Sequence, residues 1–167
     1  MYEYNDYIAT TRRWLKDYNR FLVCVDGMRD DMKLLQDKLA SDPAMAAPIA
    51  KYEDMPGGGT PELQTVEKAA ADRIKMEERL QQLRTDVAEI ERKIKKLDDA
   101  MDTLETETRA IVEEHFIDGY NWFHVGCTHS ISESWARKRG NRALADITFL
   151  IFGHRSCPPQ RSFVFTE

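Results

Sequence analysis

The sequence predicts an all-α chain: a long antiparallel helical hairpin or coiled coil, followed by a compact helix-turn-helix unit. Three observations lead there. Two long apolar repeats advance by alternating steps of three and four residues, the period that keeps side chains on one face of an α-helix. A Pro- and Gly-rich stretch separates these repeats. Beyond them, the chain breaks into shorter amphipathic segments with capping residues before them. The expected organisation is 1–105 for two long helices joined by a loop at 41–61, 106–153 for the compact unit and 154–167 for an irregular tail.

The first repeat runs Tyr4, Tyr7, Thr11, Trp14, Tyr18, Phe21, Val25, Met28, Met32, Leu35, Leu39, with Thr11 its one polar member. A single helix over this span is ~55 Å long at ~1.5 Å per residue. That is too long for a core of its own, so the seam requires a partner helix. The aromatic end is read as bulky bundle packing rather than a ligand box, since helical spacing alone more often marks a core face. Ser41, Asp42 and Pro43 end the pattern, and Pro56 with the glycines after it marks a hinge. That loop has neither the preceding strand nor the Lys-Ser/Thr signature of a phosphate cradle.

Thr60 and Pro61 read as N-cap and first helical residue. A second seam follows: Val66, Ala69, Arg73, Met76, Leu80, Leu83, Val87, Ile90, Ile94, Leu97, Met101, Leu104. Mixed charges between those positions are the solvated face of a helix laced with i,i+4 pairs. The two seams either fold back on each other or zip with a second chain. Because a lone two-helix hairpin leaves much of its width uncovered, self-association as a dimer is expected.

In the compact unit, Ile111, Val112 and Phe116 define a short helix stopped at Asp118-Gly119, where Gly serves as the C-terminal cap. Asn121 caps the next helix, with Trp122 and Val125 inward. Thr128-His129-Ser130 form a turn, Ile131 plugs the core, and Ser132 caps a last helix beginning at Glu133. On that helix Ala136, Gly140, Ala143, Ile147 and Leu150 or Ile151 share one face. Gly140, costly by roughly 1 kcal/mol in a helix interior, marks a site where another helix crosses closely. Glu133, Ser134, Arg137 and Lys138 are the candidate groove-facing residues for duplex DNA, with Arg139, Asn141 and Arg142 serving the phosphate backbone or the helix surface. Arg bonds a guanine edge in two places and Asn an adenine edge.

Charge distribution agrees. The chain carries a net −5, yet residues 119–161 hold six basic residues against two acidic ones, the asymmetry of a chain whose one end meets a polyanion. Cys24, Cys127 and Cys157 are an odd count at unrelated spacings, pointing to reduced thiols. No signal peptide is visible at MYEYNDY, and no run nears the roughly 18 apolar residues of a spanning helix. A cytoplasmic protein without membrane association is expected.

His124, Cys127 and His129, with Cys157 or His115, were they to converge, would form a zinc site. No CxxC or HxxxH partner supports it, so Cys127 is read as a small buried residue and His129 as a turn residue. No nucleophile–base–orienter set stands out, so neither enzymatic activity nor a cofactor is expected. Pro158 and Pro159 stop any helix in the tail.

The segment from Leu104 to Gly153, with its FIDG helix end, Trp122–Val125 short helix, ISES start and Arg142-Ala143-Leu144 step, resembles the region-4 helix-turn-helix of sigma factors. With WLKDYNRF and YEDMPGGGTP included, the chain is similar to a phage and prophage family of sigma-70 region-4-like proteins, related to RinA- and ArpU-type late transcriptional regulators. The resemblance implies a prophage-borne, double-stranded-DNA-binding regulator in a bacterial host, with host RNA polymerase as a further partner. Two other readings stay open: a small-terminase-like DNA-packaging component, or a coiled-coil protein that binds RNA polymerase or another protein.

Overall fold

The computed structural model describes residues 6–41 and 61–156, with side chains from residue 67 onward in the second stretch. The 41–61 hinge, apart from its two ends, and the tail from residue 157 lie outside the described residues, as do Tyr4, the Thr60 cap and Cys157. Among the described residues the fold is all-α, with no strand. Six α-helices follow in order: α1 (Tyr7–Lys16), α2 (Tyr18–Ala40), α3 (Pro61–Met101), α4 (Thr106–Val112), α5 (Trp122–Thr128) and α6 (Glu133–Phe152). A π-helical turn (Glu113–Ile117) extends α4, and a 3-10 turn (Gly153–Ser156) follows α6.

The chain divides into two units. One comprises the described residues of Met1–Leu22 and Glu91–Glu167, the other those of Val23–Ile90. This differs from the division expected at residue 105, because α1 and the last turns of α3 belong with the C-terminal helices.

The expected unbroken first helix is instead interrupted at Asp17. Asp17 sits at φ −92°, ψ 4°, and its N–H turns to the Arg13 and Leu15 carbonyls, before helical bonding resumes with Phe21 N–H to Asp17 O at 2.9 Å. What holds α1 on its own course is its packing. Leu15 is fully buried in a core with Leu97, Ala100, Met101, Val112, Phe116, Ala143, Leu144 and Ile147. The Thr11 and Thr148 hydroxyls lie 3.0 Å apart in the interior, each within reach of its own helix's i−4 carbonyl (Tyr7 O at 2.9 Å, Leu144 O at 2.7 Å). The Tyr7 and Trp14 rings pack against Phe152, which makes the aromatic end a packing surface. At the start of α2, the Tyr18 hydroxyl donates to Asp98 Oδ1 at 2.7 Å. Burial first, and then that carboxylate, push the phenol pKa up to about 12.

In the second unit the seams are legible as burial. Val25, Leu80, Leu83 and Val87 are buried, while Met28, Met32, Leu35, Leu39, Met76 and Ile90 are half-buried and their flanking positions mostly exposed. Ala69 is exposed. The exposed face carries helical ion pairs such as Lys75–Asp72 at 3.7 Å; each such pair contributes only about 0.3–0.5 kcal/mol.

Candidate nucleic-acid interface

The α5–turn–α6 segment is built on a second, smaller core of Ile111, Val125 and Ala136, with Trp122 and Ile131 packed against it. Both helix starts are capped as expected. Asn121 accepts from the His124 N–H at 2.8 Å, and Ser132 accepts from the Trp135 N–H at 3.2 Å. The helix before them does not simply stop at Asp118. It widens into the π-helical turn, with Asp118 N–H bonded to Glu113 O at 3.0 Å, and Gly119 reverses the chain at φ +82°.

Two glycines explain how closely the helices approach. A Cβ on Gly140 would lie 2.5 Å from the Trp122 ring, which is the close crossing that its position on α6 implied. A Cβ on Gly126 would lie 2.9 Å from the Ile131 carbonyl oxygen and 3.3 Å from the Glu133 nitrogen, so a side chain there would push the turn away from α5. In the turn itself Ser130 adopts φ +56°, a left-handed conformation that L-residues with a Cβ resist. His129 Nε2 lies 3.1 Å from Glu114 Oε1, tying the turn to the π-helical segment.

With its inner face so fixed, α6 presents Glu133, Ser134, Arg137, Lys138, Asn141 and Arg142 to the outside; all six are exposed. Ala136, Gly140, Ala143, Leu144, Ile147 and Thr148 form the buried face. Of the two candidates for its C-terminal end, Ile151 is half-buried against the core and Leu150 is exposed. Glu133 and Arg137 pair with each other, one turn apart. Ser134, Lys138, Asn141 and Arg142 have no side-chain hydrogen bond or ion pair among the described residues.

Arg139 has a different job. Its guanidinium donates to Thr108 Oγ1 at 2.7 Å, to Glu107 Oε2 at 2.7 Å and to Glu105, and it lies 4.6 Å from the Trp135 ring centroid. It pins α6 to the first turn of α4, and Trp135, which it lies over, is itself exposed.

His115, named from the sequence only as a conceivable zinc ligand, has a packing role instead. Its ring stacks on Trp122 at 3.5 Å, and Nδ1–H donates to Tyr120 O at 2.7 Å. Burial, and beyond it the Arg12 and Arg137 guanidiniums, hold the imidazole below its usual pKa against the opposing pull of that hydrogen bond. Cys127, expected to be buried, is exposed: Val125 and Gly126 are the positions of α5 that face inward. His124 stacks on Tyr120. No group of three potential metal ligands occurs among the described residues, and no helix there is long and apolar enough to cross a membrane.

Comparisons with known proteins return no match, whether to a protein-family model, a curated protein or a solved structure.

Proposed function

We propose that the chain is a sequence-specific, double-stranded-DNA-binding transcriptional regulator of phage or prophage origin that acts in the bacterial cytoplasm, with α6 as its recognition helix. One observation carries the reading. A strip of Ser, Asn, Lys and Arg side chains stands free along the N-terminal half of α6, while the reverse of the same helix is fastened to α5, α4 and α1. A major groove about 12 Å wide admits one helix presented in this way, and a braced scaffold limits the freedom lost on docking. Lys138 supplies an unpaired cation toward the groove, and Arg142 and Asn141 supply unpaired groups for phosphates.

The half-covered seams of α2 and α3 support pairing of two chains through the coil. A two-fold dimer would present two copies of α6 to half-sites about 34 Å or a multiple of it apart.

The test is duplex binding titrated with salt. Replacing Arg137 and Lys138 together by Ala is expected to weaken binding and flatten the dependence of log K on log salt by up to about two. Affinity unchanged from the parent chain would remove α6 as the recognition face.

A further inference from the structure

We propose that Arg12 and Lys16 of α1 form a second, phosphate-binding arm of the interface, gripping the backbone of the duplex whose groove receives α6. This deepens the regulator reading and rests on it.

The placement follows from how α1 is anchored. Thr11 and Leu15 are its fully buried residues, one bonded to Thr148 and the other packed in the core. Arg12 and Lys16 come one residue after each of them and are four residues apart, so they share a row alongside the inward stripe. That row borders a surface groove whose other walls include His115, Asp118, Gly119, Trp122 and Asn141. Asn141 belongs to the exposed strip of α6. The groove therefore runs from the recognition helix to two cations on a helix more than a hundred residues earlier in the chain.

Neither cation is already spent. Arg20, Arg109 and Arg139 are each held by carboxylates, whereas Arg12 and Lys16 have no ion pair or hydrogen bond among the described residues. Asp118 is the carboxylate on the groove wall, and it too has no ion pair there. Arg12 from α1 and Arg137 from α6 both bear on the His115 ring, disfavouring its protonation. Arg12 and Lys16 thus stand as unpaired cations on a groove that Asn141 of α6 also lines, where a phosphate backbone can pair with them. Contacts of this kind fix register and carry no sequence information of their own.

The experiment measures anisotropy of a labelled, mixed-sequence duplex of about 30 base pairs, three helical turns, at salt between roughly 50 and 200 mM. Replacing Arg12 and Lys16 together by Ala is expected to lower affinity and reduce the salt slope by about two. Exchanging them (Arg12→Lys with Lys16→Arg) is expected to keep the parent slope. Lys33→Ala with Lys38→Ala, an equal loss of charge on α2, is expected to keep it as well. Thermal melts by circular dichroism confirm that each variant folds. A parent-like slope for the Arg12/Lys16 variant, when Arg137→Ala with Lys138→Ala loses binding, overturns the arm and leaves the recognition helix standing. An equal drop for the Lys33/Lys38 variant reduces the effect to net charge and also overturns it. A parent chain that binds no duplex overturns both.

Discussion

The two units of this chain are made from the same material, apolar residues three and four apart on helices, and they cover it to different extents. In the unit around α6, helices meet the core from several directions, and Leu15, Leu97, Met101, Ile111, Leu144 and Ile147 are fully buried. In the Val23–Ile90 unit the same spacing buries Val25, Leu80, Leu83 and Val87 but leaves Met28, Met32, Leu35 and Met76 half-exposed. A helical period determines which residues share a face. How much of that face is covered depends on how many elements cross it.

The largest expected effect breaks this contrast at Leu15. Leu15→Ala deletes a fully buried side chain from the first unit and is expected to cost about 2–5 kcal/mol. Leu35→Ala on a half-exposed seam position is expected to cost less in the isolated chain, with its loss growing where chains associate. Denaturant melts at two protein concentrations check both; a small loss at Leu15 would mean that α1 is not part of the C-terminal core.

A smaller effect concerns His115. Its folded pKa lies below the unfolded value, so the unfolded chain binds the additional proton first. Its contribution to stability is therefore complete above pH about 6.5 and is lost as pH falls through that value toward the folded pKa. His115→Phe, which keeps a ring against Trp122, is expected to lessen the decline between pH 7.5 and 5. Parallel melts of the two proteins with identical slopes would sink this assignment.

The smallest sharpens the description of the turn. Ser130→Gly relieves the left-handed backbone at φ +56° and is expected to stabilise by up to about 1 kcal/mol, since the added freedom of the unfolded glycine offsets part of the gain. A lower melting temperature for Ser130→Gly would show that the serine side chain contributes more than its backbone costs.

Much of the C-terminal unit was legible because its signals are local. Asn121 and Ser132 cap the helices they precede, and the buried positions of α6 recur at helical spacing. Gly140 marked the place of a close helix crossing, though not which helix crosses there. What escaped depends on partners distant in the chain. Nothing in LKDYN marks Asp17 as a break, since the break follows from α1 docking on α6. Leu15 lies off the three-and-four repeat and is buried by that same docking. Arg12 and Lys16 look like ordinary solvated charges until α1 is placed beside Asn141. The π-helical turn has no sequence signature at Glu113–Ile117, and the exposure of Cys127 depends on which side of a seven-residue helix meets its neighbours.

Because the polypeptide leaves the α6 body after Leu22 and re-enters it at Glu91, the coiled segment is topologically an insert rather than a leading appendage. Both chain connections of an insert run to the same body, so a length change confined to α2 or to α3 shifts the apolar register of one seam against the other. Matched removal of seven residues from α2 and α3 would take two turns from each helix and preserve the apolar register of both seams.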